Sequence, residues 1–199
     1  MPQSSKHLVL DSATDNLYIG LFDGDKPLKE YYKLGHNDHS VKLMDEMTKI
    51  FDELDMRVED LTGIIVGIGP GSYTGVRIGV VVAKMLAWTK RIPLYTISSL
   101  ALMASSEKGN VLSWIDARRN HAFLGLYHVG DTKIERLDKE TYTHLDTYRE
   151  SVSFDREVTE GKPNMKRLLE SDLLKLEENV HNVAPVYLRQ TEAERNLGK

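Results

Sequence analysis

Ile64 to Gly79, which reads IIVGIGPGSYTGVRIG, is the stretch of sequence that decides the fold. It begins with an apolar run of the kind found in strands that are buried on both faces. Glycines and a proline then interrupt the run, and a helix is predicted from about Ser72 to Lys90. Because glycine has no Cβ, such a turn can bring backbone N–H groups up to an anion. The first hypothesis is therefore a strand, a phosphate-cradling turn and a helix.

The turn does not match the commoner nucleotide or hydrolase motifs. A dinucleotide-binding fingerprint needs a third glycine where this chain has Ser72 or Thr74, and no Gly-Lys-Ser/Thr follows for a P-loop. No Gly-x-Ser-x-Gly elbow occurs, which disfavours that type of serine hydrolase. The chain contains no cysteine, so disulfides, thiolate metal sites and a cysteine nucleophile are excluded.

Length and charge set further bounds. The 199 residues fit one large domain or two small ones, and the net charge of −4 argues against a protein that is basic overall and binds nucleic acid unaided. The polar N-terminus leads directly into a strand, so we expect no signal peptide. No apolar run reaches the roughly 20 residues that a membrane helix needs, and we expect a cytoplasmic protein.

The sequence contains a hidden repeat. The run Leu8 to Asp11 is followed, nine residues after the aspartate, by Gly20 to Phe22; Trp114 to Asp116 is followed at the same offset by Gly125 to Tyr127. Both units read as strand, acidic turn and strand. The repeat predicts an α/β fold made of two β-β-β-α-β-α units that face each other across a cleft. Asp11 and Asp116 would then lie at the cleft, where acids can hold a divalent ion and turns can cradle phosphates.

Apolar periodicity and turn residues predict the other elements. The predicted strands are 7–11, 17–22, 28–34, 61–68, 92–97, 111–116, 122–127, 132–137 and 152–154, and the predicted helices run from Asn37 or Asp38 to about 55, from about 72 to 90, from 98 or 99 to 106, and from about 164.

Small residues recur every four positions along the helix after the glycine turn, at Gly75, Gly79, Ala83 and Ala87. This spacing places them in one stripe on one face. Interior glycines cost about 1 kcal/mol each relative to alanine, so a close approach must compensate for them. Two interpretations stay open: the stripe packs against the protein's own sheet, or it forms a helix–helix interface with another subunit.

Charged residues lie at the ends of the two predicted acidic strands and just after the second one. Asp116 and Asp11 are candidates for a metal or phosphate site, although each is also an ordinary turn former at a strand end. Arg118 and Arg119 could meet phosphate or a partner's carboxylate, or could belong to a solvated surface.

The glycine block from Gly69 to Gly79, together with Asp11 to Thr14, Ile115 to Arg118 and Pro185 to Arg189, resembles the TsaB (YeaZ) family over almost the whole chain. The resemblance implies a duplicated actin-like, ribonuclease-H-like fold. We expect an N-terminal lobe at residues 1–98 and a truncated C-terminal lobe at residues 99–199.

The resemblance also implies a function. Members of this family are non-catalytic subunits that pair with TsaD, the catalytic paralogue, and with the ATPase TsaE, to put a threonylcarbamoyl group on adenosine beside the tRNA anticodon. The chain would form a homodimer in isolation and reach tRNA through the complex. A divergent nucleotide-dependent transferase using Asp11 and Asp116 around Mg²⁺ is the alternative, and an M22-type metallopeptidase is the least favoured.

Site residues follow from the same resemblance. Ser99 and Met103 align with the two metal-binding histidines of the catalytic paralogue, so no metal site and no catalytic residue are expected. A vestigial or shared nucleotide site would use Asp11, Ser12, Thr14, Gly69, Gly71 and Asp116; no cofactor is expected on the isolated chain, but ATP or ADP with Mg could bind at the complex interface. The implied dimer and partner surface comprises Val41, Met44, Met47, Phe51, Ser72, Tyr73, Gly75, Val76, Gly79, Ala83 and Ala87.

Overall fold

A computed structural model describes residues 5–34 and 39–189. The strands are β1 (Lys6–Asp11), β2 (Asn16–Asp23), β3 (Lys26–Leu34), β4 (Gly63–Gly67), β5 (Leu94–Ile97), β6 (Gly109–Asp116), β7 (His121–Val129), β8 (Ile134–Arg136), β9 (Thr141–His144), β10 (Arg156–Val158) and β11 (Lys175–Leu176). The α-helices are α1 (His39–Glu53), α2 (Tyr73–Lys90), α3 (Ser99–Ala104), α4 (Leu145–Ser151) and α5 (Met165–Leu169). Across the described ranges, no helix combines the length and the apolar character needed to cross a membrane.

The first sheet has the strand order β11-β5-β4-β1-β2-β3. In this sheet β2 runs antiparallel to both of its neighbours, β1 and β3. Strand β4 is parallel to both β1 and β5. Every residue of β4 is buried, as the continuous apolar run predicts for a central strand. The glycine turn therefore leaves the middle of this sheet.

The second sheet repeats that arrangement with fewer strands. Its order is β10-β6-β7-β8, with β6 antiparallel to β7 and parallel to β10. β6 thus takes the place of β1, and β10 takes the place of β4. The chain order β6-β7-β8, α4, β10, α5 also follows that of the first unit, with β9 as an addition beside β7. The duplicated fold with a shortened second unit is confirmed.

The core is divided into layers by the two sheets. Leu8 and Leu10 of β1 point into a cluster covered by α1 and α2. Val9 points to the opposite face, where a second cluster joins the first sheet to α3 and to the second sheet. A smaller cluster lies between the far face of the second sheet and α4. Strand alternation in β1 therefore separates the two large clusters.

The strand predicted near Val152 to Phe154 forms slightly later in the chain, as β10. No strand forms at Val152 to Phe154; α4 ends just before it and β10 begins just after it. Val152 and Phe154 still pack against the outer cluster, so their alternating pattern reflects burial of a connecting segment rather than pairing. The sequence reading missed both β9 and α4. The helix cap predicted at Asn37 or Asp38 lies outside the described residues.

The end of the described chain returns to the first lobe. β11 pairs antiparallel with β5, and Val183 is buried in the α1–α2 cluster. The backbone N–H of Val186 donates to Ile68 O at 2.8 Å. The end of the described chain therefore departs from the predicted second lobe of 99–199. Its β11 strand extends the first sheet, and Val183 packs into the core of the first lobe.

Candidate functional site

The small-residue stripe of α2 is filled from within the same lobe. Ser12, at the end of β1, is 1% exposed, and its hydroxyl donates to Gly75 O at 2.7 Å. The same hydroxyl accepts from the Gly79 backbone N–H at 3.2 Å. A Cβ on Gly75 would lie 2.1 Å from Ser12 O, and one on Gly79 would lie 2.7 Å from Ser12 Oγ. Ser12 therefore requires glycine at both positions.

This placement corrects the predicted interface at the stripe. The four small residues Gly75, Gly79, Ala83 and Ala87 are all buried within the lobe, so they offer no surface to another subunit. The stripe therefore packs within the chain itself, because the group that approaches it is the loop after β1 rather than a second helix. Three more of the predicted interface residues also lie in the core and are unavailable: Met47, Phe51 and Val76.

Exposed apolar side chains lie on α1 and on the side of α2 that faces away from the stripe. Val81 of α2 is 62% exposed and Trp88 is 61% exposed. We define the exposed apolar face as the exposed apolar side chains of α1 and α2 other than Tyr73, which stacks on Tyr187; they are Val41, Met44, Val81, Met85 and Trp88. The sequence reading named Val41 and Met44 but missed the three residues of α2. The signal was present, since Val81, Met85 and Trp88 recur at spacings of four and three.

We expect Gly75→Ala to destabilise the protein, although alanine usually favours a helix by about 1 kcal/mol over glycine. The added methyl group would overlap the Ser12 carbonyl, and overpacking of this kind costs about 1–3 kcal/mol. Urea unfolding measures the effect. Thr74→Ala, in the same turn but exposed, is the control and should change the free energy of unfolding by less than about 0.5 kcal/mol. An unchanged or raised stability of Gly75→Ala would contradict the role assigned to Ser12.

Asp11 is held in a buried network instead of facing the cleft. Its Oδ1 accepts from the Ser99 hydroxyl at 2.8 Å and from the Ala13 N–H at 3.3 Å. The Ser99 hydroxyl in turn accepts from the Gly69 N–H at 3.1 Å, and the Ser99 N–H donates to Gly69 O. Burial raises the pKa of Asp11 to about 6, and the hydrogen bond from Ser99 opposes this rise. The carboxyl therefore ties β1 to α3 and to the glycine turn.

Ser99 and Met103 both lie in the core. Ser99 is fully buried, and Met103 is buried in the cluster between the two sheets. Neither side chain reaches the cleft. Within the described ranges, no three histidine, aspartate or glutamate side chains gather as a metal site would require.

Three backbone donors of the glycine turn, those of Gly69, Ser72 and Gly75, are occupied by the protein itself. Ser72 caps α2, its hydroxyl accepting from Gly75 N–H at 3.2 Å, while its own N–H donates to Ala13 O at 2.7 Å. Gly69 N–H is taken by Ser99, as described above. A Cβ on Gly71 would lie 2.2 Å from Ala13 O, so the β1 loop rests directly on the turn. The loop after β1 thus covers the side of the turn that a phosphate would otherwise contact.

A cleft of about 1460 Å³ separates the two lobes. Of the six residues predicted for a nucleotide site, Thr14, Gly71 and Asp116 line this cleft. The other three, Asp11, Ser12 and Gly69, do not line it and are engaged in the contacts within the first lobe. The structure therefore splits the predicted set. Asp116 Oδ1 accepts from the Arg118 N–H at 3.0 Å, which is the behaviour of a turn former.

The segment Pro185 to Arg189 crosses the mouth of the cleft. Tyr187 stacks on Tyr73 at a ring distance of 5.0 Å, and its hydroxyl accepts from Arg77 Nε at 2.8 Å. The Arg77 guanidinium lies 4.0 Å from the Tyr73 ring centre. On the other lobe, Arg189 donates to Ala117 O at 3.4 Å. In the sequence, this segment was recognisable only as part of the family resemblance. Its contacts with both lobes were not predicted.

Comparison with known proteins gives a consistent result. A family model described as "TsaD: tRNA N6-adenosine threonylcarbamoyltransferase" matches residues 33–182. The "tRNA threonylcarbamoyladenosine biosynthesis protein TsaB" of Bacillus subtilis is 38% identical over 133 residues, covering 65% of this chain and 58% of that protein. The protein of the same name from Escherichia coli is 30% identical over 125 residues, covering 60% of this chain and 54% of that protein. The chain thus spans less than two thirds of the length of these relatives.

A solved structure supports the fold. The protein titled "YeaZ from Pseudomonas aeruginosa" superimposes with a TM-score of 0.76 over 92% of this chain and 100% of that chain, at 22% identity. The resemblance to TsaB (YeaZ) proteins inferred from the glycine block is thereby confirmed. Since the family model covers most of the described residues, the chain belongs to the family of TsaD, the tRNA N6-adenosine threonylcarbamoyltransferase.

Proposed function

We propose that this chain is a non-catalytic subunit that docks on TsaD and, with TsaE, supports threonylcarbamoylation of adenosine beside the tRNA anticodon. The exposed apolar face is the observation that carries the proposal. Five large apolar side chains on two adjacent helices contact water in the isolated chain. Exposed apolar side chains grouped on two packed helices are typical of an interaction site.

The geometry of the two helices favours a helical partner surface. The exposed apolar face lies on α1 and α2, which pack side by side over the first sheet. Val81, Met85 and Trp88 follow the four-and-three spacing that interdigitates with another helix pair. A homologous protein with the same fold would present the equivalent helices. The chain would therefore pair with itself when alone and with TsaD when TsaD is present, and the two associations compete.

The buried Asp11 network supports a non-catalytic role. A phosphate-handling or metal-handling lobe needs a free acid at the end of its first strand and free donors at its turn. Here Ser99 engages the Asp11 carboxylate and the Gly69 N–H together. Ser99 and Met103 would stand where the catalytic paralogue has metal-binding histidines, and neither reaches the cleft. ATP or ADP with Mg would then bind at the interface with a partner rather than in the glycine turn of the isolated chain.

Analytical ultracentrifugation tests the docking directly. The chain alone is expected to show a concentration-dependent dimer. Addition of TsaD in equal amount is expected to replace that dimer by a mixed complex containing one copy of each protein. The proposed function is wrong if the chain remains a homodimer after TsaD is added, or if it remains a monomer both with and without TsaD.

A further inference from the structure

The turn between β6 and β7 holds two arginines in an unusual backbone conformation. Arg118, Arg119 and Asn120 have φ angles of 68°, 56° and 55°. Residues with a Cβ rarely adopt this left-handed region, and three in succession are rarer still. The turn therefore depends on contacts that hold it in place.

Those contacts come from both sides of the turn. Arg118 N–H donates to Asp116 Oδ1 at 3.0 Å, and Leu145 N–H donates to Asn120 O at 2.8 Å. The Asn120 side chain donates to Asp146 Oδ2 at 2.6 Å. All of these bonds use the backbone or the asparagine. These contacts thus fix the turn, and none of those in the described part of the chain uses the guanidinium group of Arg118 or Arg119.

Both arginines are exposed and line the cleft. By contrast, Arg149 of the second lobe pairs with Glu157, and Arg136 pairs with Glu140. Among residues 5–34 and 39–189, no carboxylate lies within ion-pair distance of the Arg118 or Arg119 guanidinium groups. Two adjacent cations on a constrained turn, with no acidic partner in the described ranges, favour an anion as the ligand at the rim of the cleft.

An aromatic row stands beside these cations. The ring of Tyr142 stacks on His121 at 5.4 Å and lies 5.5 Å from Phe123. Arg189 lies over the Tyr142 ring at 5.2 Å. All three rings line the cleft and are partly exposed. Aromatic side chains next to fixed arginines are the combination that binds unpaired bases and their phosphates.

We propose that this rim, formed by Arg118, Arg119, His121 and Tyr142, binds single-stranded RNA. The arginines contact successive phosphates, and the aromatic row stacks a base. The choice of RNA as the occupant rests on the proposed function. A free nucleoside triphosphate fits less well, because Ser99 and Ala13 already take the Gly69 and Ser72 N–H groups of the glycine turn.

Fluorescence anisotropy with a labelled single-stranded oligoadenylate, titrated at several salt concentrations, tests the site. The wild-type chain is expected to bind, and Arg118→Ala/Arg119→Ala is expected to weaken binding and to reduce the slope of log K against log salt by about 1.4, since each lost phosphate contact removes about 0.7. Arg118→Lys/Arg119→Lys should restore the slope. Tyr142→Leu should weaken binding roughly tenfold and leave the slope unchanged.

The control variant is Arg57→Ala/Arg91→Ala, which removes the same charge from exposed positions in the first lobe. Arg91 also has a left-handed backbone, with φ 56°, so it matches the test residues in conformation. The proposal is overturned if the wild-type chain does not bind, if the control lowers the slope as much as the test variant, or if ATP displaces the oligonucleotide as readily as unlabelled RNA does. Ultracentrifugation with TsaD separates the two hypotheses: docking without RNA binding refutes this inference alone, whereas RNA binding without docking refutes the proposed function alone.

Discussion

The variant Val81→Glu/Met85→Glu is expected to lose its association with TsaD and with itself. Both side chains are exposed in the isolated chain, so the substitutions should leave its fold and stability unchanged. In a complex they would bury carboxylates without partners, which costs about 3 kcal/mol or more. That cost corresponds to a decrease in affinity of about 100-fold or more. Ultracentrifugation or calorimetry measures it.

A matched control is available on the rest of the surface. Leu137 and Leu176 are 50% and 54% exposed, and neither belongs to the exposed apolar face. Leu137→Glu/Leu176→Glu introduces the same two charges at comparably exposed apolar positions, and it should associate as the wild type does. If both double variants lose association equally, net charge rather than the exposed apolar face governs docking. If neither does, the partner binds elsewhere.

The second large effect concerns Asp11 and pH. Burial raises the pKa of this carboxyl in the folded chain from an ordinary 3.8 to about 6. The folded state therefore holds more protons than the unfolded state between these values. The contribution of Asp11 to the free energy of unfolding is favourable below about pH 4, declines as the pH rises to about 6, and stays low above it. A shift of this size corresponds to about 3 kcal/mol.

Asp11→Asn removes this ionisation and should remove the decline. The free energy of unfolding of the variant relative to the wild type is expected to rise by up to about 3 kcal/mol between pH 4 and pH 7. Any pH-independent effect of the amide cancels in this difference, which urea unfolding at several pH values measures. Asp116→Asn, the equivalent change at the exposed end of β6, serves as the control and should give no comparable rise. A difference for Asp11→Asn that does not vary with pH would show that the carboxyl is not buried as described.

The repeat was the part of the fold that the sequence could predict best. Asp11 and Asp116 each end a strand that pairs with the next strand through a turn, as their equal spacing to Gly20 and Gly125 indicates. Strand alternation and helical periodicity are local properties, so they are visible in a short window. The return of β11 to the first sheet was not predictable in this way. Two residues at an edge carry no pattern, and their partner strand lies far away in the sequence.

The stripe on α2 shows a different limit. Gly75 and Gly79 predict that something approaches the helix closely, but spacing alone does not identify what approaches. Ser12 could be identified only once β1 and α2 were placed side by side. The proposed docking surface therefore lies on the exposed side of the helix, and Val81 rather than Gly79 is the informative position. Arg118 and Arg119 were noticed in the sequence, but only the structure shows that both lie on a left-handed backbone at the rim of the cleft.

The measurement that tests the central claim most directly is a reconstitution of tRNA modification. TsaD and TsaE are assayed for threonylcarbamoyladenosine in tRNA with no further subunit, with the wild-type chain, with Val81→Glu/Met85→Glu, and with Leu137→Glu/Leu176→Glu. We predict that modification requires the chain, that the first variant fails to support it, and that the second supports it fully. Equal modification in the absence of the chain, or modification by the chain without TsaD, would contradict the account.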